Sequence, residues 1–403
     1  TIWDYDDDGN DVANENPTRL VHRRIEQGFT KDSAGNIVPY EYVTTYTYNS
    51  KGQILTIDGP QAGAGDTTSF TYDSVTGDLL TVTRPEVGTT TYSDYDAAGN
   101  VGRVTDPNGN AITYTYDGRG RVVTVTNEAD GSTTNYDYDL SGELDLVTQP
   151  NGVTSDFVYE AIYGRLSQVL DPGGNYIAYN YDSQGNRTEI SHYNAEAERK
   201  FWKRFDYQGT SAPGKLRKEI NPDGTYAEYT YDTGGNLETI TDAAGKTTIY
   251  GYDAFKRLTS VNQPGNAITT YIYDDQDNLI SVTDAENHTT TYVYDDLGRL
   301  VETVSPDTGT TPYAYDASGN LISKTDAKGI TTTYEYDDLN RVTAIHFPDS
   351  SQDIAYTYDQ GTNGAGRLTG MTDPSGSYAY TYDALGNLVA EEKTIDGVVY
   401  TTG

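Results

Sequence analysis

Residues 289–304 read TTTYVYDDLGRLVETV. Tyr292 and Tyr294 stand two apart, so in an extended chain both rings project from one face. Asp295 and Gly298 then bracket a tight turn, Asp suiting its first position and Gly its left-handed end. A second β-prone run follows from Leu300. The stretch predicts a β-hairpin, and its copies fill the chain.

Anchored on the second tyrosine, the pattern recurs at Tyr5, Tyr48, Tyr72, Tyr95, Tyr116, Tyr138, Tyr159, Tyr181, Tyr207, Tyr231, Tyr252, Tyr273, Tyr294, Tyr315, Tyr336, Tyr358 and Tyr382. From Tyr231 to Tyr336 the spacing is 21 throughout; elsewhere it runs 21 to 26, apart from a 43-residue gap after Tyr5 that has room for one degenerate hairpin. The residue two before the anchor is aromatic in 16 of 17 cases, Ser93 being the exception, and the residue after it is Asp in 14, replaced by Asn49, Glu160 and Gln208. A period of this length leaves room for a second turn, and Asp106-Pro107-Asn108-Gly109, Asp171-Pro172-Gly173-Gly174, Asn221-Pro222-Asp223-Gly224 and Asp373-Pro374-Ser375-Gly376 supply it. Tight turns at both ends of every strand make the chain meander antiparallel. Where the turn glycine is missing, Asn340 and Asp277 tolerate the left-handed well, whereas Lys256 is strained there. After the anchor, position six is usually Leu or Val and positions seven and nine, of opposite parity, are often apolar too, as in Leu279, Ile280 and Val282. Both faces then read as partly apolar, which predicts a curved sheet.

The composition fits a repeat better than disorder. Only 35% of the 403 residues are hydrophobic, but the 38 Tyr and many Thr are periodic strand-formers. A formal net charge of -34 repels nucleic acid and anionic membrane and favours cations or basic partners. No apolar run is long enough for a membrane span, no signal peptide is visible at the start, and the absence of cysteine excludes disulfides and thiolate metal sites. Beginning at Thr1 without Met and ending within the pattern at Gly403, the chain reads as a fragment or a processed product. Residues 1–403 are expected to form a single continuous array, irregular at 6–47 and 182–218.

Those irregular units hold the candidate sites. Arg19 to Ile25 concentrates cations in the first. In the second, Arg199, Lys200, Trp202, Lys203 and Arg204, with Phe201 and Phe205, form either long hairpins whose charges pair locally or a basic aromatic patch that docks on an acidic surface of another subunit or of the rest of a longer chain. Asp4, Asp6, Asp8, Gly9 and Glu15 satisfy the spacing of a calcium loop. Against calcium stand Asp11 where such loops want an apolar residue, non-helical flanks, and the anchor at Tyr5, which already explains the motif. The four histidines, His22, His192, His288 and His346, fall at unrelated phases with no partner suggested, and no nucleotide loop, zinc spacing or nucleophile elbow appears. No enzymatic activity and no cofactor are expected. Asn186-Arg187-Thr188 and Asn287-His288-Thr289 are formal glycosylation sequons.

The iterated YxYDxxGxL unit with DPxG turns between copies resembles the YD repeat of the Rhs family, shared with shell components of bacterial toxin complexes and with animal teneurins. The resemblance implies an all-β fold of tandem antiparallel hairpins wound side by side into a curved spiral sheet, the wall of a hollow shell, ring or tube, secreted or displayed at the cell surface. In many relatives the shell holds a toxin released by self-cleavage at a distinct core motif; that motif is absent here, so neither property carries over. Roughly 34 strands about 4.8 Å apart make a ribbon of about 160 Å, or a closed ring about 50 Å across. One such coil cannot seal a cargo. The sequence therefore predicts a non-enzymatic structural segment that continues into a larger cocoon or self-associates into a tube or filament through its open edges. A toxin-encapsulating segment is one alternative; a glycan- or receptor-binding adhesion module using exposed tyrosines is another.

Overall fold

The structure is a computed structural model that describes residues 1–5, 20–32, 34–61, 63, 65–207 and 214–402. The described residues form 35 β-strands and one 3-10 turn, Ser350–Gln352, and no longer helix. Among the described residues no helix is long and apolar enough to cross a membrane.

The quoted stretch is the hairpin it promises. Thr289–Tyr294 and Leu300–Ser305 pair antiparallel, with Tyr292 opposite Thr303 and Tyr294 opposite Leu300. Asp295 and Gly298 close the turn: the Gly298 amide donates to the Asp295 carbonyl at 2.9 Å, and the Asp295 amide to the Arg299 carbonyl at 3.0 Å. Gly298 has φ 74°, and the same left-handed position is held elsewhere by Lys256, Asp277 and Asn340 at φ 67°, 67° and 63°. The register slips between Val293 and Tyr294, leaving Val301 as the extra, bulged residue. The same slip recurs at Tyr48, Tyr72, Tyr138, Tyr273 and Tyr336. It corrects the parity assigned to positions six and nine, while Val158, Ile272 and Val293, each one residue before an anchor, keep the other face partly apolar. Because the bulge inserts a residue, Leu279 and Val282 oppose Tyr273 and Tyr271 respectively, so positions six and nine share the tyrosine face despite their opposite parity. Bulges repeated at one end of each hairpin bend and twist the strands, the device by which a sheet acquires curvature.

The chain forms two compact units. Unit 1 comprises Thr1–Thr115, Thr126–Gly131 and Thr291–Gly403. Within it the strands of each stretch pair with their sequence neighbours, and the gap after Tyr5 contains a hairpin of unusual length, Arg23–Lys31 against Ile37–Tyr48, in register over nine pairs. Its turn, Asp32 to Asn36 with Gly35 at φ 81°, is of the repeat type, so the unit carries the pattern with Phe29 two before and Lys31 in place of the anchor tyrosine. Unit 2, Tyr116–Val125 and Ser132–Thr290, is again a run of neighbouring hairpins. The buried apolar residues, Ile25, Tyr40, Ala111, Val301, Ala314 and Ala344, all fall in unit 1. That is expected where one stretch of sheet bears on another, whereas a single layer of hairpins leaves most side chains half-exposed.

Candidate functional site

Each turn is a small polar machine. In the hairpin at Tyr294 one oxygen of Asp295, Oδ1, accepts the amides of Leu297 and Arg299 at 3.0 and 2.9 Å, while Oδ2 accepts Arg299 Nε at 2.8 Å. The partner four residues on is Arg or Asn: Arg121, Arg257 and Arg341 clamp Asp117, Asp253 and Asp337, and Asn100, Asn186, Asn236, Asn278 and Asn320 do the same for their own aspartates. Donors on both oxygens favour the ionised form; the Arg121 guanidinium and turn amides hold the Asp117 carboxyl down at about 2.

The arginines also stitch one hairpin to the next. Arg121, Arg257, Arg299 and Arg341 lie over the rings of Tyr138, Tyr273, Tyr315 and Tyr358 at 4.0, 5.0, 5.0 and 4.3 Å. Anchor hydroxyls donate backwards to the carbonyl that opens the preceding unit's second strand: Tyr159 to Leu144, Tyr181 to Leu166, Tyr315 to Leu300 and Tyr336 to Leu321, at 2.8 to 2.9 Å. Burial raises the hydroxyls of Tyr315 and Tyr336 above their usual range.

In unit 1 this apparatus meets a second stretch of the same sheet. The Phe29 amide donates to Asp296 Oδ2 at 2.8 Å and the Asp296 amide returns a bond to the Phe29 carbonyl at 3.2 Å. Thr30 Oγ1 donates to Asp295 Oδ2 at 2.8 Å and accepts from Arg299 Nη2 at 3.2 Å; Lys31 Nζ pairs with Glu302 at 2.8 Å. Gly28 is required here, since a Cβ would lie 2.6 Å from the Tyr40 hydroxyl and 2.7 Å from Asp296 Cβ. Further along, Gln61 Nε2 donates to Asn340 at 3.3 Å, Glu86 lies 3.6 Å from Arg341, and Asn108 exchanges bonds of 3.1 and 2.9 Å with the carbonyl and amide of Ala365. A cleft of about 720 Å³ runs along this contact, lined among others by Arg24, Glu26, Asp66, Arg84, Asp338 and Arg341. The participants are separated by roughly the same stretch of sequence, 267 residues for Phe29 and Asp296 and 257 for Asn108 and Ala365.

The sequence-predicted sites are placed as follows. Tyr292, Tyr294, Asp295 and Gly298 hold the structural places read for them, and Asp295 is 6% exposed. Of the calcium-type residues, Asp6, Asp8 and Glu15 lie outside the described residues; Asp4 ends the strand Ile2–Asp4, opposite Arg23. Among the described residues no group of three His, Asp or Glu is arranged to hold a metal ion. Arg199, Lys200, Trp202, Lys203 and Arg204 share the strand Arg199–Tyr207. Arg199 and Arg204 both reach Glu189, at 3.2 and 2.5 Å, and flank the Trp202 ring at 5.4 and 4.8 Å; Lys200 pairs with Glu198 at 2.6 Å and Lys203 with Glu219. His346 sits between Asp353 and Glu335, at 2.8 and 3.2 Å, and the Asp353 bond raises its pKa. His192 packs edge-on to Phe201. In the first sequon, Asn186 Nδ2 is already committed to Asp182 at 2.8 Å. The clamp four residues after each turn aspartate was missed in the sequence, although its signal, Asn or Arg at the fifth position after the anchor, repeats with the same period.

Residues 22–210 match the Teneurin YD-shell family, and residues 214–247, 231–268, 273–310, 315–352 and 363–399 match the RHS Repeat. No curated protein matches the chain in sequence. Among solved structures, the Photorhabdus luminescens Tc holotoxin pore is similar with TM-score 0.54 at 15% identity, over 96% of this chain and 27% of that one. The TcdB2–TccC3–Cdc42 structure gives TM-score 0.50 at 16% identity, over 95% and 26%. The chain thus spans about a quarter of the length of these neighbours, and at such identity they establish the fold: antiparallel hairpins laid side by side in an open sheet. Family matches along most of the sequence, the repeat's turn and anchor geometry, and this fold agree: the chain belongs to the YD-repeat proteins of the Rhs family.

Proposed function

We propose that this chain is a stretch of wall in a hollow shell, secreted or displayed at a cell surface, and that it works by enclosing space rather than by catalysis. The observation that carries the reading is the contact in unit 1, where turns of residues 295–366 bear on residues 28–108. A ribbon whose later hairpins seat on its earlier ones seals the gap between successive windings, which is what a wall needs. The turn carboxylates suit this role. Those of Asp96, Asp117, Asp182, Asp232, Asp253 and Asp274 accept turn amides and an Arg or Asn side chain and lie below the usual carboxylate range, which suits a structural part and ill suits a general acid. The shell relatives support a wall that continues in a longer chain or complex and encloses another component. An adhesion role resting on tyrosine platforms finds less support, because anchor rings carry arginines and anchor hydroxyls are engaged with backbone carbonyls. Electron microscopy of the purified chain tests the proposal. A curved wall one sheet thick, about 10 Å, is expected; a solid particle of two sheets packed face to face would overturn it.

A further inference from the structure

The contact in unit 1 has two dissimilar sides. One consists of turns that follow an anchor tyrosine, around Asp296, Asn340, Arg341 and Ala365; most of the other consists of the return turns at the opposite ends of the strands, carrying Gln61, Glu86 and Asn108. Those return turns are proline-bearing, with Pro60, Pro85 and Pro107. The anchor turns place an apolar residue at the tip: Leu297 and Leu339 are half-buried, and Leu339 shares its cleft with Pro60.

In unit 2 the same two elements are present, yet the tips are bare. Leu140 is 99%, Ile162 83% and Phe255 78% exposed, each within an anchor turn. Leu140 and Ile162 stand on adjacent anchor turns, two and three residues after Tyr138 and Tyr159, and Phe255 stands three after Tyr252, four repeats further along the same rim; large apolar side chains bared in this way are poorly solvated. Unit 2 also carries return turns with Pro150, Pro172, Pro222 and Pro264.

We propose that the anchor-turn rim of unit 2, through Leu140, Ile162 and Phe255, docks on the proline-bearing return turns of a second copy of this chain. The occupant follows from the contact in unit 1, where this chain's own return turns occupy this chain's own anchor turns. The inference rests on the wall reading above, since it repeats between copies the contact that seals the wall within one. Because the two sides differ, the contact is head-to-tail and extends into stacks instead of closing a two-fold dimer. With a net charge of -34 on each copy, stacking strengthens as salt screens the repulsion.

Sedimentation velocity of the full chain from about 1 to 100 µM, in low and high salt, tests this. The sedimentation coefficient is expected to rise with concentration, more so in high salt. In the variant Leu140→Asp, Ile162→Asp and Phe255→Asp the rise should need at least roughly tenfold higher concentration, while far-ultraviolet circular dichroism and the thermal midpoint stay unchanged because the tips are exposed. As a second readout, a short bismaleimide should join a Phe255→Cys copy to an Asn151→Cys copy, the chain having no other cysteine. A wild-type chain that stays monomeric in high salt, a triple variant that assembles like wild type, or the absence of mixed cross-links would each overturn the inference. A one-sheet wall seen by microscopy would stand in any of those cases.

Discussion

Arg299 shows how much one residue of the repeat carries. Its guanidinium donates to its own turn aspartate, to the Asp316 carbonyl of the next hairpin at 3.1 Å, and to Thr30 of the opposing stretch. Asp295, its partner, has a side chain only 1% exposed. Arg299→Ala leaves that carboxylate buried without its cation, and the expected loss is about 3 kcal/mol. Arg257→Ala, at a clamp whose side chains are 21% and 23% exposed, should lose much less, because solvent screens that pair. Chemical denaturation of both variants measures the difference, and equal losses would deny the opposing stretch any share in holding Asp295. Lys256 gives a prediction of opposite sign. With φ 67° it occupies the place that glycine takes in most turns, so Lys256→Gly should stabilise by about 1 kcal/mol in the same assay. At this scale the sequence was largely legible: Asp295, Gly298 and the strained Lys256 could each be assigned from turn chemistry. Arg299 could not, because its second and third partners come from another hairpin and from residues far away in sequence.

At the scale of the hairpin, the turn aspartates make stability depend on pH. Asp117 has a folded pKa of about 2 against an ordinary 3.8. A depressed carboxylate contributes stability that is complete above its unfolded pKa and is lost as pH falls through the folded one. The window here therefore runs from about pH 4 down to about pH 2. Relief of the large net negative charge acts in the opposite direction over the same range, so the comparison must be internal. Asp117→Asn should lower the thermal midpoint at pH 6, and the gap from wild type should close as pH approaches 2. A gap that persists unchanged at acid pH would contradict the clamp. The hairpins themselves were readable from strand propensity and turn residues. Their faces were not, because the bulge after the turn switches the parity of the alternation, and Leu279 and Val282 look like residues of opposite faces until the register is known.

For the molecule, the family fold was legible and the return contact was not. Where one stretch of a ribbon meets another depends on curvature summed over many hairpins, and no local motif encodes that sum. One trace was present: the repeat loses its anchor tyrosine at Lys31, and that unit supplies Phe29, Thr30 and Lys31 to the contact with Asp295, Asp296 and Glu302. Residues about 270 apart thus seat on each other within one chain. Zero-length carbodiimide cross-linking of the monomer fraction, read by peptide mass spectrometry, tests it most directly. Lys31 should couple to Glu302, whose charged atoms lie 2.8 Å apart, alongside the neighbouring-strand pair Lys203 and Glu219 as an internal control. Recovery of the Lys203–Glu219 link without any Lys31–Glu302 link would mean that the two stretches do not meet.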